Sequence, residues 1–179
     1  VEPAAPSTTE RNADSEFDLD AAIRQHREWM ASNGTSGARA NLAGVSLAGA
    51  VLKDQNLAKA NLRGANLASA DLRRSVLVDA DLRNACLAQA LMDEAQLAGA
   101  KIRHADLQFA QLPMAGLQGS DLAGADLRGA VLAGADLAGA NLLGANVRGT
   151  DLTALNLTQK QLDRALGDAT TQLPPGLFV

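Results

Sequence analysis

A chain of 179 residues with 16 basic and 20 acidic side chains, net charge −4 and 47% apolar residues has the make-up of one folded unit with a tail. That near balance excludes a strongly basic nucleic-acid binder, and no apolar run is long enough to span a membrane as a helix. Aromatic residues are only 2%, so the core must be built from small aliphatic side chains, and the single cysteine, Cys86, excludes an internal disulfide.

Residues 1–14 hold Pro3, Pro6, Ser7, Thr8 and Thr9 with almost nothing apolar, the composition of a flexible tail. Residues 15–39 read as an N-terminal capping helix and lead-in. Leu19, Ile23, His26 and Met30 recur at helical spacing, Glu16, Asp18 and Asp20 fall in the first turn, and Asn33-Gly34 supplies a stop. Its expected task is to cover the open end of the long segment that begins at residue 40, with Phe17 and Trp29 as the large apolar contributions.

From residue 40 to 159 an apolar residue occupies every fifth position through 24 consecutive units, beginning Leu42, Leu47, Leu52 and ending Val147, Leu152, Leu157. Two places before each centre stands mostly Ala, and two places after it often Gly. A helix advances about 100° per residue, so leucines five apart would scatter around it instead of forming a stripe. In an uninterrupted strand odd spacing would send them alternately to opposite faces. A short extended piece and then a turn, repeated, satisfies the spacing and points both Ala and Leu inward. Gly suits a turn position with positive φ, and Pro113 suits the position before it.

These units, such as Ala-Asn-Leu-Arg-Gly at 60–64 and Ala-Asp-Leu-Arg-Gly at 125–129, resemble the pentapeptide-repeat family. The resemblance implies an all-β solenoid, a right-handed quadrilateral β-helix with four units per coil. On that basis 24 units give about six coils, with a capping α-helix at each end and a length of roughly 29 Å at the usual strand spacing. Burying one Leu is worth roughly 1.5–3 kcal/mol, while ordering five backbone residues costs about 5–10 kcal/mol, so no unit folds alone. Stability is expected to arise between stacked neighbours. Residues 160–179 read as a C-terminal capping helix and tail. Thr158 to Gln161 fits a capping box, Leu162, Ala165 and Leu166 come next, and Gly167 is a stop. The tail from Leu173 to Phe178 either folds back over the last coil or is offered to another chain, which allows a monomer or a weak homodimer.

Chemistry is absent from this reading. His26 and His104 have no ligand partners in sequence, so no metal, cofactor or catalytic residue is expected and the chain is read as a non-enzyme. Asp and Asn interchange at the position before each centre, as at Asp71, Asp81, Asp126, Asn61 and Asn141, which assigns them a turn hydrogen bond and not an ionisation. Binding by an outer surface remains, and the leading expectation is a scaffold for an unidentified protein partner. The alternatives are a rigid spacer whose tails bind, and a DNA mimic acting on a type II topoisomerase (DNA gyrase), as some members of the resembled family do. Residues 40–159 carry ten basic and eleven acidic side chains. A duplex of the same length would carry on the order of 17 negative charges, so the mimic is disfavoured and no direct nucleic-acid contact is expected.

Two surfaces stand out. Counting by twenty stacks Arg63, Arg83 and Arg103 in one column with Lys101 and His104 beside it, a mildly basic side that either docks an acidic partner or is compensated by its own aspartates. Phe109, Pro113 and Met114 replace small or polar residues at outward positions of one level and form a candidate contact. Cys86, next to the centre Leu87, should point outward. A lone cysteine fits the cytoplasm; a Val1 produced by signal cleavage would instead mean the periplasm or another exported compartment.

Overall fold

The structure, a computed structural model, describes residues 17–179. The tail expected at 1–14 and the helix start expected at Ser15 lie outside the described residues. From Asn41 onward each residue preceding a centre pairs in parallel with the residue twenty places further on, from Asn41↔Asn61 without interruption to Asp126↔Asn146. Four units therefore complete one coil. Each side of the coil is a strand reduced to a single bridging residue.

The local cause is a turn repeated every five residues. The amide two places before each centre donates back to the preceding centre's carbonyl, as in Ala65 N–H to Leu62 O at 3.0 Å. The second of the two residues in between takes positive φ in every unit from Gly44 to Gly149. At Pro113-Met114, a ring-fixed negative φ and then +58° make the type II combination. The carboxylate or carboxamide before the centre accepts from the amide two places on, as in Asn56 to Ala58 (3.0 Å), Asp106 to Gln108 (3.0 Å) and Asp136 to Ala138 (3.0 Å). Asp and Asn serve equally because only an oxygen is used. The other backbone donors of a unit run along the rod: Leu62 N–H meets Asp81 O at 2.8 Å and Asn61 N–H meets Ala40 O at 2.9 Å.

Inside, the centres from Leu42 to Leu157 and nearly every Ala two places before them form one continuous buried cluster. Ser75, Ser120 and Thr150 are buried at positions where Ala is usual. Cys86 is half-buried.

At the N-terminal end α1 (Leu19–Ala31) starts on Asp18, whose carboxylate accepts from Ala21 N–H at 2.8 Å, and stops at Asn33-Gly34, both with positive φ. The helix lays Leu19, Ala22 and Ile23 against the core, not Phe17 and Trp29 as expected. Phe17 is exposed, and Trp29 stacks on His26 with ring centroids 5.7 Å apart. His26 is fully buried, and its Nδ1 accepts from Ala40 N–H at 3.0 Å. The imidazole thus takes the amide that in later units donates to the preceding centre's carbonyl, a partner that no unit before Ala40 supplies, which is why a histidine and not a large hydrophobe sits there.

At the C-terminal end α2 (Gln159–Leu162) is one turn long, shorter than the expected run to Leu166. The Gln161 carboxamide oxygen accepts from the Thr158 N–H, and its nitrogen donates to Leu137 O and Ala140 O. Beyond it the ladder reclaims the chain: Leu166 bridges Asn146 and Gln172 bridges Asp151. Backbone pairing outbids local helical tendency because the exposed amides of the previous coil have no other partner. Leu173 and Leu177 fold back onto the core, and Phe178 backbone atoms bond the Gln159 side chain at 2.9 and 3.1 Å. On three successive sides, at Val131, Asp136 and Asn141, the pairing with the residue twenty places on lapses, and surface grooves of about 260 and 600 Å³ open there.

Candidate functional site

The predicted basic column is built by the ladder Asn61↔Asp81↔Lys101↔Asp121, which sets Arg63, Arg83, Arg103 and Lys101 on one side of the rod. These cations are not equivalent. Where the unit reads Asp-Leu-Arg, the guanidinium curls back onto the aspartate two residues earlier: Arg83 Nε and Nη2 lie 2.8 and 2.5 Å from the two oxygens of Asp81. Asp71–Arg73 and Asp126–Arg128 repeat that fork. The arginine hydrogen bond holds the Asp71 carboxyl at about 2 and lowers those of Asp81 and Asp126. Arg74 pairs with Asp54 one coil before, Arg103 reaches Asp121 at 3.4 Å, and Arg148 reaches Asp168 at 3.8 Å.

Arg63 is different. Its unit reads Asn-Leu-Arg, and Asn61 supplies the turn hydrogen bond (3.3 Å) but no charge. Among the described residues Arg63 has no carboxylate within ion-pair distance. It lines a groove of about 340 Å³ together with Arg39, Lys59, Arg83, Lys101, Asp79 and Asp81. Sequence reasoning missed Arg39 and Lys59. Both occupy the corner that precedes this side, and grouping each corner with the side it opens onto would have found them. Arg103 lies outside the groove.

The predicted apolar level also differs residue by residue. Phe109 and Met114 are 57% and 65% exposed at corners with φ of +57° and +58°, while Pro113 is half-buried between them. The side chains lie along the rod over glycines of the next coil. A Cβ on Gly129 would stand 2.7 Å from the Phe109 ring, and one on Gly134 would overlap the Met114 sulfur. His104 covers Gly124 in the same way. Val131, bridged to Gln111, extends the apolar surface beneath Pro113 and opens onto the 260 Å³ groove; its outward position, normally Asp or Asn, was the available signal. No helix among the described residues is long and apolar enough to cross a membrane, and no three metal-ligating side chains gather there.

A rod of stacked five-residue units with an Ala and Leu interior and its charged side chains on outer faces defines a β-helical repeat scaffold. The pentapeptide-repeat model, in eight copies, matches residues 38–74, 75–110 and 115–165, and the chain belongs to the pentapeptide-repeat family. Among solved structures it is similar to HetL, a pentapeptide repeat protein involved in heterocyst differentiation regulation in the cyanobacterium Nostoc sp. strain PCC 7120. The identity is 36% over 76% of this chain, with a TM-score of 0.65. The chain spans 60% of the length of HetL. A pentapeptide repeat protein of the Arabidopsis thaliana thylakoid lumen is 31% identical over 68% of this chain and 70% of its own, with a TM-score of 0.30. QnrB1, a plasmid-mediated fluoroquinolone resistance protein, is 16% identical over 75% of this chain and 92% of its own, with a TM-score of 0.31. No curated protein matches the chain.

Proposed function

We propose that this chain is a non-enzymatic scaffold that presents the corners and sides of its first four coils to a protein partner. On this reading the rod is a right-handed, four-sided helix of about six coils, and α1 and α2 are its covers. The carrying observation is the distribution of left-handed corners. From Asp54 to Met114, eleven of these corners are occupied by residues other than glycine, including Lys59, Arg74, His104, Phe109 and Met114. From Gly119 to Gly149 every corner is glycine. An L-residue in this conformation is strained by roughly 1–2 kcal/mol, and the entropy that glycine loses on folding offsets only about 0.5–1 kcal/mol of that. Bulky side chains held at such positions mark surfaces kept for something other than the fold. A rod with almost no net charge does not suit imitation of a duplex. HetL's involvement in a regulatory process favours binding over chemistry.

The test is joint replacement of His104, Phe109 and Met114 by Gly, with circular dichroism, thermal melting and affinity capture from the native cell. The expected result is unchanged or higher stability with loss of proteins that wild type captures specifically. Capture that survives the replacement, or its absence in wild type, would overturn the reading.

A further inference from the structure

We infer that the groove around Arg63 is a receptor for an extended acidic segment of a partner protein, with a partner carboxylate taking the place at Arg63 that Asp81 takes at Arg83. The inference rests on the scaffold reading and names the chemistry of its partner.

The sequence neutralises an arginine two places after the bridging residue by a fixed device, an aspartate at the bridge, and uses it at Asp71, Asp81 and Asp126. At Asn61 the device is disarmed by a single polar atom. The turn is unaffected, because Asn61 Oδ1 still accepts from Arg63 N–H, and Asn61 Nδ2 donates to Asn41 Oδ1 at 2.7 Å. What changes is that a guanidinium is left without its counter-ion. It is left so beside Arg39, Lys59 and Lys101, none of which has a carboxylate within ion-pair distance among the described residues. Of the two acids in the groove, Asp81 is consumed by Arg83. Asp79 leans along the rod onto Gly99, its Oδ1 2.6 Å from where a Cβ there would stand. Four uncompensated cations thus face one free carboxylate.

The ligand class follows from geometry. A guanidinium offers two parallel donors that match a carboxylate, as the three Asp-Leu-Arg units display on this same molecule. Lys59 and Lys101 are two coils apart, about 10 Å along the axis, which exceeds the span of one small anion. An extended chain repeats its same-face side chains about every 6.6 Å, so acidic residues laid along the axis meet Arg39 first, then the shared level of Lys59 and Arg63, and then Lys101. Asp79 and Asp81 at the rim disfavour a multiply charged phosphate at the same spot.

The deciding variant is Asn61→Asp, which restores the internal counter-ion without removing a cation. The column tolerates it, since Asn141 already donates to Asp121 at 2.9 Å in the same stack, and the Asn41 carboxamide can turn to donate likewise. A fluorescein-labelled alternating Glu–Ser peptide is titrated at low ionic strength against the full chain, with tripolyphosphate as competitor. Binding to wild type should be salt-sensitive. It should weaken about tenfold in Asn61→Asp and in Arg63→Gln, and remain within about twofold in Arg128→Ala, whose guanidinium is already paired. Melting temperatures should match, which separates loss of the site from loss of the fold. Equal affinity of wild type and Asn61→Asp, or no peptide binding at all, overturns the groove. Tighter binding of tripolyphosphate than of the peptide overturns the carboxylate assignment. Specific capture of proteins by wild type, unchanged in Asn61→Asp but lost in the triple corner variant, would remove the groove and leave the scaffold reading standing.

Discussion

Ser75 and Ser120 put hydroxyl groups into a core whose other members at that position are mostly methyl groups. Both are fully buried, and neither Oγ has a hydrogen-bond partner among the described residues. Thr150, the third polar residue at an Ala position of the core, donates to Val147 O and is satisfied. An unpaired buried hydroxyl costs roughly 1–3 kcal/mol, and alanine is the residue the coil accommodates elsewhere. Ser75→Ala and Ser120→Ala should each raise stability by about 1 kcal/mol in urea titrations, whereas Thr150→Ala should not. A loss of stability in the serine variants would show that these hydroxyls have a partner. At this scale much was legible: Asp and Asn were readable as turn acceptors because the acceptor and its amide lie two residues apart. Whether a given arginine is quenched was only half legible. The Asp-Leu-Arg forks are local, but the Arg74–Asp54 and Arg103–Asp121 contacts join neighbouring coils and depend on how many units complete one.

Helix α1 joins the rod through a proton-sensitive contact. His26 Nδ1 accepts from Ala40 N–H, so this nitrogen must be unprotonated, and Nε2 lacks a partner of full hydrogen-bond geometry although the Ala58 carbonyl is close enough to favour a proton there. Burial lowers the pKa below the ordinary 6.5, the Ala58 carbonyl opposes this, and the Arg39 charge lowers it further. Because the folded value lies below the unfolded one, the stability His26 provides is complete above about pH 6.5. It falls as the pH drops from there toward the folded value. Urea midpoints measured from pH 8 to pH 5 should decline in wild type over that window, and the decline should be smaller in His26→Gln. Parallel profiles would dissociate this contact from stability. The helical spacing of Leu19, Ile23, His26 and Met30 announced α1, but not which residues touch the rod. Phe17 and Trp29 were chosen by size, whereas the first coil presents an open amide that only a polar acceptor can satisfy. The same competition shortened α2, where Leu166 had a vacant backbone partner at Asn146 and took it.

For the whole molecule the five-residue period left few solutions, and the count of four units per coil came from family resemblance; the ladder from Asn41 to Asn146 carries that count throughout. What spacing could not convey is the behaviour of the last coil, because its departure on three sides reflects competition among α2, the tail and the ladder, not any change of period. Since each coil bonds only to its neighbours, stability should vary with coil number and not with which coil is present. Deleting residues 80–99, one full coil, should leave a chain that melts in one transition at lower temperature. Deleting residues 80–82 should abolish cooperative melting by throwing the leucines out of step; a cooperative transition in that variant would contradict the register.

The twenty-residue register also shapes how such a gene can change. Duplication or loss of a single five-residue unit preserves every inward Ala and Leu while rotating everything downstream by a quarter turn, so each outer column is rejoined to its neighbour's. Four units at a time lengthen the rod and keep its faces aligned. Copying errors in multiples of five therefore reshuffle the surfaces of this molecule while leaving its interior pattern intact. A charge stripe such as the one through Arg63 can be assembled or erased in one genetic event, without any change of codon.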